Sequence, residues 1–179
     1  MPDRPSLTDV ATLRVRARQH LEMGAVITGY EPDRDEVLKL LNDALATEIV
    51  CVLRYKRHAF CATGIHSQSV KAELLAHAVE EMLHVDMLAK RIVELGGWPN
   101  FSPEGLLGRS HAEYVEGETM ADMIREDLVA ERIAIDSYGE IIAYLGADDP
   151  TTRRVLEEIL AAEEEHADDL RALLDRRAR

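Results

Sequence analysis

The sequence predicts an all-α protein, an antiparallel four-helix bundle with one long crossover between its second and third helices. Three observations carry this. Hydrophobic residues make up 46% of the 179 residues and aromatics only 4%, with Ala, Leu, Ile and Glu abundant, a profile that favours helices over strands. Four segments repeat core-type residues alternately four and three apart, the signature of a packed bundle seam. Two short connections flank one long stretch that has no periodic pattern, so two helical hairpins are joined by a single long link.

Residues 1–32 read as an N-terminal extension and residues 33–176 as the bundle. The extension holds one short helix near Leu7–Met23, ending at Gly24 or Gly29, and Pro32 marks the boundary. The first bundle helix runs from about Asp33 to Cys61 and is closed by Thr63-Gly64. The second runs from about Ser67 to Leu95 and stops at Gly96-Gly97. The third starts at Thr119, where Thr119 and Asp122 make an N-terminal capping pair, and ends at Gly146. Asp149-Pro150 opens the fourth, with proline at the first helical position. Between the second and third helices lies the stretch with Pro99, Pro103, Gly105 and Gly108. About 22 extended residues can span the ~40 Å length of such a helix, so this link is expected to cross the whole bundle without structure of its own.

The seams locate the chemistry. The first helix carries Leu38, Leu41, Leu45, Glu48, Val52, Tyr55 and Ala59; the second, Val70, Leu74, His77, Glu81, His84 and Leu88. The third carries Ile124, Leu128, Glu131, Ile135, Tyr138, Ile142 and Leu145; the fourth, Thr152, Leu156, Ile159, Glu163, His166, Leu170 and Leu173. Each seam is interrupted near its middle by Glu or by Glu-x-x-His. A buried carboxylate is costly, and four at one depth repel one another. Two cations would neutralise them, with the two imidazoles completing the ligand set.

The halves also repeat. Glu48 precedes Glu81 by 33 residues and Glu131 precedes Glu163 by 32, each second Glu leading a Glu-x-x-His. A Tyr follows the first Glu by seven in both halves, at Tyr55 and Tyr138, and an Asp follows each His by two, at Asp86 and Asp168. The expected site is therefore two-fold: one metal on Glu48 and His84, the other on Glu131 and His166, with Glu81 and Glu163 bridging. A single Glu-x-x-His on a Glu-rich helix arises often by chance. Two pairs, each on its seam and each preceded by a seam Glu at matching distance, do not fit that account. The pattern is the one found in di-iron and di-manganese carboxylate bundles.

Composition excludes other classes. A net charge of −13 repels a nucleic-acid backbone, so nucleic-acid binding by the folded body is not expected. No apolar run approaches a membrane span and the N-terminus lacks a secretory apolar stretch, so the expected location is cytoplasmic, with no membrane partner. Cys51 and Cys61 lie about ten residues apart on one helix, roughly 15 Å along its axis, too far for a disulfide. No Cys-x-x-Cys is present, which excludes rubredoxin-type and zinc-ribbon sites.

At these residues the sequence resembles bacterioferritin. Leu41 to Glu48, Glu80-Glu81-Met82-Leu83-His84-Val85-Asp86, Asp127 to Glu131 and Ile159 to His166 resemble that family's four helices, and Pro99-Asn100 after the glycines also matches. The resemblance covers about residues 34–175. It implies a ferritin-like fold and a ferroxidase: two iron ions per subunit, Fe(II) oxidised by O2 or H2O2, and ferric mineral stored in a hollow homo-oligomer. Glu48, Glu81, His84, Glu131, Glu163 and His166 are then the iron ligands. The competing function is a di-iron or di-manganese peroxidase or oxygenase that stores no mineral. Only thirteen residues follow His166, leaving no room for that family's short fifth helix. A shell of twelve copies or a smaller oligomer such as a dimer thereby stands beside one of twenty-four. The extension also departs from the family core. Its Arg4, Arg14, Arg16 and Arg18 against Asp3, Asp9 and Glu22 suit a helix packing on a neighbouring subunit better than a nucleic-acid tail.

Several further residues have two readings. Tyr55 resembles the tyrosine beside the family's iron centre, where it supplies or relays an electron, against simple core packing. Met82 stands at the family's haem-ligating methionine, against a packed or interface methionine. Asp127 either orients a ligand histidine or is a solvated helix residue. His77 either lines an iron path or is a core histidine, and Cys51 lies near the metals or is merely buried. Glu157, Glu164 and Glu165 read as solvated helix surface.

Overall fold

The computed structural model describes residues 7–27, 29–64 and 67–177; Asp3 and Arg4 of the extension lie outside them. The helices are α1 (Val10–Gln19), α2 (Arg34–Cys61), α3 (Ser67–Glu94), α4 (Leu106–Arg109), α5 (Met120–Leu145) and α6 (Pro150–Arg177). No strand occurs among the described residues. α2, α3, α5 and α6 form a ferritin-like bundle. α2 packs on α3 and α5 on α6, and α2–α5 and α3–α6 contacts close it. Each of these helices is about 40 Å long.

Local chemistry sets the ends. Asp33 caps α2 by accepting from the Asp35 and Glu36 amides. Thr119 and Asp122 form the reciprocal capping box on α5. Asp149 accepts from the Thr152 amide at 2.9 Å ahead of Pro150. At the end of the α2–α3 hairpin a Cβ on Gly97 would lie 2.5 Å from the Leu38 side chain. A side chain there would have to push Leu38 aside where the chain leaves α3 close to α2.

Two expectations need correction. The helix expected over Leu7–Met23 is broken: Asp9 captures the Thr12 amide at 3.0 Å, starting the helix at Val10. It ends at His20, and Leu21–Met23 form a separate 3-10 turn. α1 buries none of its residues. The link between hairpins is not featureless either, since α4 supplies one helical turn. Gly105 in the left-handed region starts it, and Arg109 ties it to the Glu104 and Ser102 carbonyls at 2.9 Å each.

On α5 the buried stripe is broader than the seam. Asp127, Ala130, Ala134 and Ile141 are fully buried, whereas Leu128, Ile135 and Ile142 are half-buried. α5 faces both α2 and α6, so it buries a wider arc than one seam. Two apolar clusters result. One gathers Leu41, Leu45, Leu88, Ile92, Leu145 and Leu156, the other Val70, Leu74, Ala78, Ile124, Ala130 and Leu170. The polar residues of the seams lie between them.

Candidate metal centre

Glu48 comes from α2, Glu81 and His84 from α3, Glu131 from α5, and Glu163 and His166 from α6. All six are buried, and the structure brings them together in two groups. Glu48, Glu81, His84 and Glu163 form one, and Glu81, Glu131, Glu163 and His166 the other. Within each group the donor atoms lie within 4.8 Å of one another. Glu81 and Glu163 belong to both.

The histidines aim Nδ1 inward. His84 Nδ1 lies 2.9 Å from Glu163, 3.1 Å from Glu81 and 3.6 Å from Glu48. One ring nitrogen carries at most one hydrogen and cannot satisfy three carboxylates. His166 Nδ1 lies 3.4 Å from Glu81 and 3.5 Å from Glu163. Glu81 Oε1, Glu131 Oε2, both oxygens of Glu163 and His166 Nδ1 are buried without a hydrogen-bond partner. Such a concentration of orphaned donor atoms, all of types that bind metal, fits a pair of cations.

The electrostatics show how costly this cluster is. Burial first, then the neighbouring Glu163, push the carboxyls of Glu81 and Glu131 well above the usual range. Burial opposes charge on the imidazoles as well. The neighbouring carboxylates of Glu163, Glu48 and Glu81 outweigh it at His84, raising it to about 12. At His166, Glu163, Glu131 and Glu80 raise it to about 9. Burial acts against the Glu163 carboxylate too, but the imidazoles of His166 and His84 close beside it hold it below its ordinary value. Protons thus do part of the neutralising that cations would do.

Around the cluster stands a shell that the sequence only partly announced. Tyr55 of α2 donates to Glu131 of α5, and Tyr138 of α5 donates to Glu48 of α2. Burial, and then Glu131 and Glu48 respectively, push both phenols far up, so they remain donors. This crosswise pairing requires α2 and α5 to be antiparallel. Glu80, half exposed, lies 2.6 Å from His166 Nε2 and holds the tautomer whose Nδ1 faces the site. Glu80 carried no signal beyond its place before Glu81; Tyr138 was marked by the seven-residue offset it shares with Tyr55.

Asp127 corrects both of its readings, for it neither touches a ligand-type histidine nor meets solvent. It is fully buried, accepting from Arg54 Nε at 2.9 Å and lying 2.9 Å from His58 Nδ1. Arg54 and His58 in turn reach the Glu113 and Val115 carbonyls of the crossover at 2.9 Å each. Neither Arg54 nor His58 was singled out by the sequence, because both sit off the seams. Cys51 is buried with its sulfur 3.6 Å from the Arg54 guanidinium, and burial pushes its thiol up. His77 is buried and stacks on His166 with ring centroids 4.1 Å apart. Met82 is not brought to the site and is 42% exposed on α3. Glu157, Glu164 and Glu165 face solvent as expected.

Comparison with known proteins agrees with this architecture. The bacterioferritin of Streptomyces coelicolor is 31% identical over 141 residues, covering 78% of this chain and 80% of its own. A solved dodecameric thioferritin, the bacterioferritin-related protein of Bacteroides fragilis, superposes with a TM-score of 0.81 at 29% identity. The match covers 90% of this chain and 95% of that one. A ferritin-like, diiron-carboxylate protein of Bacillus anthracis superposes with a TM-score of 0.71 at 26% identity, over 80% and 99%. The family model for the ferritin-like domain matches residues 38–179, and the chain belongs to the ferritin family.

Proposed function

We propose that this chain takes up Fe(II), oxidises it at a paired iron site, and stores the ferric product inside a homo-oligomeric shell. The observation that carries this reading is the overlap of two four-residue donor groups through Glu81 and Glu163. One iron takes Glu48 and His84, the other Glu131 and His166, and Glu81 and Glu163 bridge them. Two neighbouring one-electron donors suit a two-electron oxidant. O2 takes one electron from each Fe(II) and two protons to become H2O2; H2O2 takes the same to become two waters. In this reading Tyr55, whose hydroxyl donates to Glu131, holds that iron ligand in place beside the site.

The bacterioferritin relative and the diiron-carboxylate neighbour support iron as the substrate metal, and the dodecameric neighbour supports a shell of twelve copies. No helix among the described residues is long and apolar enough to cross a membrane. Met82, exposed on α3, stands free for the haem ligation that the resemblance implies, and a haem titration of wild type against Met82→Leu tests it. Adding Fe(II) in air and following ferric absorbance tests the chemistry, with Glu81→Ala expected to abolish the fast phase. Wild-type rates in that variant would refute the site. A particle no larger than a dimer in size-exclusion chromatography would refute storage.

A further inference from the structure

A second set of donor atoms lies beside the paired site and uses none of its six residues. Glu73 and His77 of α3 and Asp169 of α6 place one donor atom each within 4.8 Å of one another. His77 Nε2 is 3.9 Å from Glu73 and 3.8 Å from Asp169. Those separations exceed a hydrogen bond and lie within the ~4.2 Å that two ligands can span when each is about 2.1 Å from one cation, which would draw them slightly together. His77 itself is only 3% exposed. Its Nδ1 has no hydrogen-bond partner, so no hydrogen bond from the far side of the ring fixes it. The two carboxylates are 40% and 48% exposed, and the group therefore opens outward.

Its place in the fold gives it a direction. Glu73, His77, Glu80 and Glu81 fall at i, i+4, i+7 and i+8 on α3 and share one helical face. His77 stacks at 4.1 Å on His166, whose outer nitrogen is held by Glu80. A row of metal-binding side chains thus runs between α3 and α6 from solvent to the second iron position.

We propose that Glu73, His77 and Asp169 form a third divalent-cation site, which gathers Fe(II) at the surface and stages it for the paired centre. The staging role rests on the paired-iron reading, whereas the site itself does not. Co(II) binding to the full chain, measured by equilibrium dialysis, separates the two. The wild type binds three ions per chain. E73Q/D169N, which changes only the exposed carboxylates, binds two, and E48Q/E131Q keeps the outer ion. In aerobic oxidation at limiting Fe(II), E73Q/D169N starts about five- to tenfold slower, as loss of a charged collecting site implies, and reaches the wild-type end point. A wild type that binds two ions, both retained in E73Q/D169N, overturns the third site and leaves the paired centre standing. A wild type that binds one ion, lost in E73Q/D169N and kept in E48Q/E131Q, overturns the paired centre and leaves the third site. Three ions with an unchanged oxidation rate in E73Q/D169N overturns staging.

Discussion

Tyr138 donates its hydroxyl hydrogen to Glu48, and this bond is the counterpart of the one from Tyr55 to Glu131. Each tyrosine steadies the outer glutamate of the opposite half. Tyr138→Phe and Tyr55→Phe should each weaken binding at the ion held by the freed glutamate by about tenfold, the usual effect of losing a group that orients a ligand. Anaerobic Co(II) titrations of the two variants check this. Loss in only one of them would end the claim of equivalence.

Glu80 is expected to matter through His166 alone. Glu80→Ala leaves the outer imidazole nitrogen without its 2.6 Å partner and should cost roughly 10–100-fold in affinity at one of the two ions. Glu80→Gln retains an acceptor and should cost much less. Nitrogen chemical shifts of His166 in the two variants report the tautomer directly. Equal affinities for both variants would remove Glu80 from the site.

Metal loading should release protons. Glu81 and Glu131 have raised values in the folded chain, and His84 and His166 stand at about 12 and about 9. The two imidazoles therefore hold protons at neutral pH, the two carboxyls give theirs up less readily than free ones, and a cation must displace what protons the cluster holds. Affinity should rise with pH across the neutral range, and the dependence should weaken above about 9, where His166 has already lost its proton. Calorimetry of Co(II) binding in two buffers of different ionisation enthalpy counts the protons. No buffer dependence would contradict this charge assignment.

Arg54 and Asp127, 1% and 0% exposed, form a buried ion pair. Asp127→Ala strands the guanidinium away from water and should cost about 3–5 kcal/mol in urea unfolding. A loss below about 1 kcal/mol would show that water or Cys51 replaces the carboxylate.

Much of the site is legible in the sequence because the seams repeat in register. Glu48 with Tyr55 and Glu131 with Tyr138 share one spacing, so the duplication alone marks the cluster. Helix ends follow from Thr119, Asp149 and the glycines, whose effects are local. What escapes a reading of the sequence depends on contacts between elements far apart in the chain. Glu80 meets His166 only because α3 and α6 pack antiparallel, and Asp127 finds Arg54 and His58 only once α5 lies on α2. α1 is shorter than its apolar pattern suggests, because periodicity does not show that Asp9 and His20 interrupt it.

Arg54 and His58 grip the crossover by the carbonyls of Glu113 and Val115. Every residue type carries a backbone carbonyl, so the identity of these two loop residues is nearly free. The number of residues leading to them is not. Inserting or deleting one residue between α4 and α5 would shift which carbonyls face the clamp. One hairpin would then slide against the other, and the halves of the duplicated site would no longer meet at the same level. The strap joining the hairpins thus works as a measured spacer, tolerant of substitution and intolerant of changes in length.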